Sequence, residues 1–279
     1  YSDELQNKME KISLTIKKLN IIPVVERKTG NIVDLIEFDK LNLLNLKKKN
    51  KKLNTSVVIM AGGKGTRLLP YTSVLPKPLL PINQKPTISH IINKFQSYNV
   101  KDFYVTLNYK SEILKTYLKD LKRINPIKTI EEKKPLGTAG SLILIKNKIK
   151  NDFFLTNCDT IIHENYSGIY NQHKTQKNDV TIVAAKRKFK IPYGICEINK
   201  NEFKMKEKPE LKYYVNTGFY IISKSCLNIL RKVEYLDFND FLIKCKKNKK
   251  KIGIIKINEK NWVDVGQMKD YKNNFNKNI

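Results

Sequence analysis

Apolar residues recur along this chain with two different periods, and the balance between them changes partway through. Leu5, Met9, Ile12, Ile16 and Leu19 stand three or four positions apart, which predicts an amphipathic helix over residues 5–19. The mostly apolar stretches 21–25 and 32–36 predict two short strands, with the turn residues Lys28, Thr29, Gly30 and Asn31 between them. A helix is predicted over 39–46, and the block Lys47, Lys48, Lys49, Asn50, Lys51, Lys52 then interrupts all periodicity. Such a run repels itself and stays solvated, so the chain is divided into a first segment 1–46, a basic linker 47–54 and a larger domain 55–279.

Beyond the linker, strands and helices alternate. Strands are predicted over 56–60, 103–107, 128–130, 153–156, 180–185, 215–222 and 251–257. Helices are predicted over 87–98, 112–121, 138–145, 167–176 and 238–246. This order predicts an α/β domain, a Rossmann-like and mostly parallel mixed sheet with helices on both faces. In such sheets ligands collect at the carboxyl ends of the strands.

Composition narrows the classes. With 41% hydrophobic residues among 279 the chain can bury a core. No segment has the ~20 apolar residues that span a bilayer, so a membrane role is not expected. Four dispersed cysteines, Cys158, Cys196, Cys226 and Cys245, form no zinc or disulfide pattern and fit a reducing cytoplasm. His90, His163 and His173 match no metal spacing. The chain begins at Tyr1, which suggests a natural start further upstream. The formal charge of +28 suggests a polyanionic partner or a lysine-rich solvated surface. Residues 1–53 hold only a net +5, from 12 basic and 7 acidic residues, so the excess is spread through the larger domain. No nucleic-acid recognition module accompanies it.

The chemistry concentrates in VVIMAGGKGTRLLPYTSVLPKPLLPI, residues 57–82. A buried strand runs into Gly62, Gly63 and Gly65, where missing side chains let backbone N–H groups approach a phosphate. Arg67 follows, and Lys77 is clamped between Pro76 and Pro78. The spacing is neither GxGxxG nor GxxxxGK[ST], so the dinucleotide fingerprint and the P-loop are not supported. Further motifs follow in order: Glu132 to Gly140, Asn157-Cys158-Asp159, Tyr193-Gly194, Glu207-Lys208-Pro209, Asn216-Thr217-Gly218 and Trp262 to Gly266.

From residue 56 to about 272 these motifs resemble the sugar-1-phosphate nucleotidyltransferases, which join a sugar phosphate to a nucleoside triphosphate. The resemblance implies that Arg67 and Lys77 are the catalytic cations, since the reaction brings two polyanions together. Ala61, Gly62, Gly63, Gly65, Thr66, Glu132 and Gly137 would bind the nucleotide. Asp159 and Asp264, at strand ends far apart in sequence, would hold Mg²⁺, which shares its oxygen ligands with substrate phosphates. Gly194, Glu207, Lys208 and Asn216 would bind the sugar phosphate, although Gly194 and Gly218 also suit a turn or bulge.

Glu132 stands where uridine- and thymidine-using relatives tend to carry Gln. Guanine presents adjacent N1–H and N2 donors, which suit a carboxylate, so the resemblance is to the GTP-using branch. In place of the family's usual Gly, Cys158 separates Asn157 from Asp159, and the metal loop is expected to be strained if that position needs φ > 0. The phrase IIPVVERKTGNIVDLIEFDKL resembles a single CBS motif with Ile36 where a ribose-binding hydroxyl would stand, so packing or dimerisation is expected of it, in a homo-oligomer. CBS-like segment, linker and transferase together resemble the bacterial glucosamine-1-phosphate guanylyltransferases of the legionaminic acid pathway. The implied reaction takes GTP and a sugar 1-phosphate, with glucosamine 1-phosphate first in line and mannose or another hexose phosphate open. Uridylyl, thymidylyl or cytidylyl transfer, a non-catalytic regulatory paralogue and a nucleic-acid binder stand as rivals. A C-terminal left-handed β-helix, carried by some relatives, is not expected.

Overall fold

The structure, a computed structural model, describes residues 21–25, 29–37, 51–122, 127–199, 202–268 and 271. The chain divides into two compact units, Tyr1–Lys51 and Lys52–Ile279. In the first, β1 (Ile21–Val25) and β2 (Ile32–Glu37) pair antiparallel. Gly30 takes φ +72° in the turn between them, a conformation glycine adopts without a Cβ penalty. The helices predicted over 5–19 and 39–46, and residues 47–50 of the basic run, lie outside the described residues.

The second unit opens with β3 (Ser56–Met60), α1 (Tyr71–Val74), the small hairpin β4 (Pro81–Ile82) and β5 (Lys85–Pro86), and α2 (Thr87–Gln96). It continues through β6 (Asp102–Leu107), α3 (Ser111–Lys122), β7 (Ile127–Glu131), α4 (Gly137–Gly140), β8 (Phe153–Asn157), β9 (Thr160–Ile162) and α5 (Tyr166–Thr175). Then come β10 (Val180–Lys190), β11 (Ile195–Asn199), β12 (Glu202–Lys206), β13 (Glu210–Ile222), α6 (Phe238–Lys247), β14 (Ile252–Asn258) and β15 (Trp262–Asp264).

All seven strands predicted for this domain meet in one sheet, ordered β14-β10-β13-β8-β3-β6-β7. Its pairings are parallel except for the two made by β13, which runs against both β10 and β8. That reversal arises because β10 and β13 are joined through the hairpin β11–β12 instead of a helical crossover.

Alternation along β3 explains the two layers. Val57 and Ile59 face a core shared with α2, α3 and α5, while Val58 faces one shared with α4 and α6. On the first face Phe95, Phe154, Tyr166 and Phe219 form a ring cluster with centroids between 4.7 and 6.0 Å apart, and such pairs add ~0.5–1.5 kcal/mol each beyond area burial.

Two predicted elements change. The helix expected over 138–145 is helical only for Gly137–Gly140, followed by a tighter 3₁₀ turn over Ser141–Ile145. The amides of Ala139 and Gly140, which the first turn of a helix leaves unpaired, donate to Leu236 O at 2.9 and 3.1 Å, so a crossing segment caps the start of this short helix. β10 and β13 outrun their predicted lengths and pair with each other as far as Lys190 and Glu210.

Candidate functional site

A cavity of about 380 Å³ opens at the carboxyl ends of β3, β7 and β8. Its first wall grows out of β3. Ala61 is the last residue tied to the sheet, its N–H donating to Thr106 O at 3.1 Å. It is 1% exposed and does not line the cavity. The next amides, of Gly62, Gly63, Lys64 and Gly65, find no acceptor among the described residues. A row of unspent donors beyond a strand is a cradle for an anion. Gly65 holds the loop's bend at φ +68°, and a Cβ there would stand 2.9 Å from Thr72 Cγ2. The Thr72 hydroxyl donates to Gly65 O at 2.9 Å and fixes the same bend. Gly62, Gly63, Gly65, Thr66, Arg67 and Lys77 all line the cavity.

The second wall is the turn after β8, with Asn157, Cys158, Asp159 and, from the far end of the chain, Gly266. What brings the distant motifs together is a short antiparallel ladder. β9 pairs with β15 so that Thr160 stands opposite Asp264, and Val265 N–H donates to Asp159 O at 3.0 Å. Lys77, Asp159 and Asp264 consequently surround Gly266. A Cβ on that glycine would touch Asp159 Oδ2 and lie 2.9 Å from Asp264 Oδ1 and 3.2 Å from Lys77 Nζ. Lys77 pairs with Asp159 in a nearly enclosed ion pair. Burial alone would lower the Lys77 pKa, but Asp159, with Cys158 behind it, outweighs that effect and the pKa is raised. Lys77 is a fixed cation.

Among the described residues no cluster of three or more His, Cys, Asp or Glu offers a metal cage. Two carboxylates on either side of a missing side chain nevertheless fit Mg²⁺, which is usually held by one or two carboxylates and completed by phosphate and water.

Cys158 departs from the expectation of strain. It is not among the residues with positive φ, and its N–H donates to Met60 O at 3.2 Å. The position accepts a side chain at no backbone cost. Burial, reinforced by Asp159, pushes the thiol pKa up to about 12, so the group is neutral and not nucleophilic.

The third wall follows β7. Glu132 is buried, and its Oε2 accepts from Leu136 N–H at 3.1 Å. Its Oε1 would lie 3.1 Å from a Cβ on Gly62, so the carboxylate packs against the glycine loop. Burial raises its pKa, opposed by the Leu136 N–H and the Thr106 hydroxyl. Gly137, at φ +77°, has no space for a side chain, because a Cβ would meet Leu236 O at 2.7 Å. The same segment contributes Tyr235 and Asp237 to the cavity lining. Sequence reasoning passed over both, since an Asp before a helical run is ordinarily an N-cap.

The four residues assigned to the sugar phosphate do not line this cavity. Gly194 and Glu207 face each other, with Glu207 Oε2 2.9 Å from a Cβ position on Gly194. Lys208, at φ +43°, lies 3.5 Å from Glu207 Oε1. Asn216 sits at the register shift where β13 leaves β10 by two residues. Its amide donates to the Tyr220 hydroxyl at 2.7 Å and accepts from Gly218 N–H at 3.1 Å, so it closes that bulge.

Comparison with known proteins follows the same boundaries. The family model described as "Nucleotidyl transferase" matches residues 56–278. A mannose-1-phosphate guanyltransferase of Schizosaccharomyces pombe is 31% identical over 226 residues, covering 77% of this chain and 61% of the relative. Mannose-1-phosphate guanylyltransferase 1 of Arabidopsis thaliana is 31% identical over 182 residues, covering 61% and 50%. This chain therefore spans between half and about three-fifths of these curated relatives. Among solved structures, HddC from Yersinia pseudotuberculosis complexed with GMP-PN superposes with a TM-score of 0.62 at 25% identity, covering 79% of this chain and 97% of that one. The inositol-1-phosphate CTP transferase from T. maritima, at 18% identity and a TM-score of 0.59, covers 77% and 90% and shares the fold.

Proposed function

Since the chain belongs to the nucleotidyl transferase family over residues 56–278, we propose that it transfers a guanylyl group from GTP to a sugar 1-phosphate, giving a GDP-sugar and pyrophosphate. The observation that carries this is the convergence of Lys77, Asp159 and Asp264 around Gly266, with Lys77, Asp159 and the glycine lining a cavity whose other walls hold unspent glycine-loop amides and buried Glu132.

The residues divide the work. A sugar phosphate oxygen attacks the α-phosphorus, the bond to the β-phosphate bridging oxygen breaks, and pyrophosphate leaves. The glycine-loop amides and Arg67 hold the triphosphate tail. Lys77, kept charged by Asp159, offsets the repulsion between the two phosphates where they meet. Asp159 and Asp264 would hold Mg²⁺, which supplies charge neutralisation at the phosphates. Glu132 carries the argument for guanine, and the guanyltransferase names of the relatives support it. Gly194, Glu207, Lys208 and Asn216 serve the sugar side from the β10–β13 arm.

Glucosamine 1-phosphate, and with it the legionaminic acid assignment, rests on the CBS-like order of residues 1–46, of which β1 and β2 are described. Mannose 1-phosphate is the second reading, favoured by the relatives' names. The test is pyrophosphate release with GTP, UTP, dTTP and CTP, each against glucosamine, mannose and glucose 1-phosphates in Mg²⁺. GTP is expected to lead in kcat/KM by about tenfold or more. An equal or better pyrimidine nucleotide sinks the guanylyl reading, and no release with any pair sinks catalysis itself.

A further inference from the structure

The base end of the cavity carries a carboxylate that the proposed reaction has not used. Asp237 immediately precedes α6, the position where an Asp normally caps the first turn. It does not cap, as its side chain accepts nothing from the helix. The first amide of the helix, Phe238 N–H, donates to the Thr138 hydroxyl at 2.8 Å. The Asp237 carboxylate is turned the other way, with both oxygens 3.1 Å from the Tyr235 hydroxyl, which donates to them. Both residues line the cavity beside Glu132, Leu136 and Gly137.

The segment is held there firmly. Leu236 N–H donates to Leu136 O at 2.9 Å, and Leu236 O accepts from Ala139 and Gly140. Gly137 is bare where the segment crosses it, and Asp237 Oδ1 lies 3.1 Å from its Cβ position. Helix start, crossing segment and glycine together aim one acceptor pair at the end of the cavity that β7 forms.

Glu132, by contrast, is partly spent. Its Oε2 accepts from the Leu136 N–H, and its Oε1 packs against Gly62. A carboxylate so engaged holds the loop, and its remaining acceptor sites can serve one donor of the base while a second carboxylate serves the other. Guanine offers two kinds of donor on one edge, the ring N1–H and the exocyclic amine.

We propose that Asp237, oriented by the Tyr235 hydroxyl, is a nucleotide-selecting residue that accepts from the exocyclic amine of guanine. This rests on the guanylyl reading and supplies the second acceptor that reading needs. A neutral amide at this position would face the amine with a mixed donor and acceptor group and lose the charge-assisted bond.

The test compares GTP with ITP, whose base lacks only that amine, and with dGTP, which lacks only the ribose 2′-hydroxyl. Pyrophosphate release is measured for the unaltered protein, Asp237→Asn and Tyr235→Phe. The unaltered protein is expected to favour GTP over ITP by about 10- to 100-fold, the span of one hydrogen bond to a charged group. Asp237→Asn should bring that ratio to within about threefold of unity, Tyr235→Phe should reduce it partway, and GTP against dGTP should not move. Ratios taken within one preparation do not depend on the fraction folded. An unchanged GTP to ITP ratio in Asp237→Asn, or no such preference in the unaltered protein, overturns the assignment. A shift confined to dGTP overturns it in favour of ribose contact. Preference of the unaltered protein for a pyrimidine nucleotide removes the guanylyl reading itself, an outcome distinct from the others.

Discussion

Replacing Gly266 by alanine separates the cost of folding from the cost of catalysis. The glycine is not among those with positive φ, so an L side chain meets no backbone strain. The new Cβ would touch Asp159 Oδ2 and stand 2.9 Å from Asp264 Oδ1 and 3.2 Å from Lys77 Nζ. Ordinary contact for a carbon begins near ~3.4 Å, so Asp264 Oδ1 must withdraw by about 0.5 Å and Asp159 by more. All three atoms end side chains that can turn aside without moving the sheet, although Asp264 Oδ1 gives up its 2.7 Å bond from Gly266 N–H and the Lys77–Asp159 pair must shift together. Stability should change by less than about 1 kcal/mol, because alanine also narrows the unfolded ensemble. The site has no such freedom. Misplacing reacting or coordinating groups on the ångström scale costs ~100-fold in rate, and the Mg²⁺ concentration for half-maximal rate should rise about tenfold or more. Pyrophosphate release across a Mg²⁺ series, beside a thermal melt, measures both. A rate and Mg²⁺ dependence within about twofold of the unaltered protein would refute the convergence as a metal site. A melting temperature lower by more than about 5 °C would refute the claim that the glycine serves the site alone.

Gly137→Ala should behave in the opposite way. At φ +77° and 2.7 Å from a backbone oxygen that cannot swing aside, the substitution should destabilise by about 2–3 kcal/mol. Chemical denaturation checks it, and a loss below ~0.5 kcal/mol would show that the Leu236 crossing gives way easily. Asp152 supplies a pH signature. Its carboxylate accepts from Lys174 Nζ at 2.7 Å and Lys224 N–H at 3.3 Å, with His173 Nε2 3.5 Å away. Burial would raise its pKa, but His173 and Lys174 hold it well below the usual carboxylate range. With the folded pKa below the unfolded one, the stabilisation is complete above about pH 5 and drains as the pH falls toward the folded value. Asp152→Asn should cost about 1–2 kcal/mol at pH 7 and roughly 1 kcal/mol less at pH 3. Urea unfolding at the two pH values that gave equal deficits would contradict this.

Much of the scaffold was legible because burial writes itself into sequence. Strands such as Ser56–Met60 and Phe153–Asn157 are covered on both faces, and apolar residues fill them almost without interruption. The glycine loop was legible for the same reason, as an abrupt end to such a run. Other features depend on contacts the sequence does not display. The pairing of β9 with β15 joins two three-residue strands about a hundred positions apart, too short for any period to show. The start of the short helix at Gly137 is capped by Leu236, from a distant loop. Cys158 raised an expectation of strain that only the backbone angle could settle. Tyr235 and Asp237 carry no motif at all and reach the cavity because Leu236 is pinned to the loop after β7.

The β10–β13 arm carries a consequence for how such a chain can change. β14 accompanies β10 only to Lys186, and β8 accompanies β13 only from Phe219 to Ile222. Past those points, among the described residues, each strand has one neighbour, the other. The Asn216-Thr217-Gly218 bulge lies at this division, clamped by Thr217 to Val183 O and by Thr160 to Thr217 O. A substitution in the ribbon beyond it is felt by a two-stranded ladder, while the glycine loop and Asp159 follow strands of the broad sheet and Asp264 sits in the β9–β15 ladder. The ribbon and the body of the sheet are thus separate mechanical modules, able to drift independently within a single folded unit.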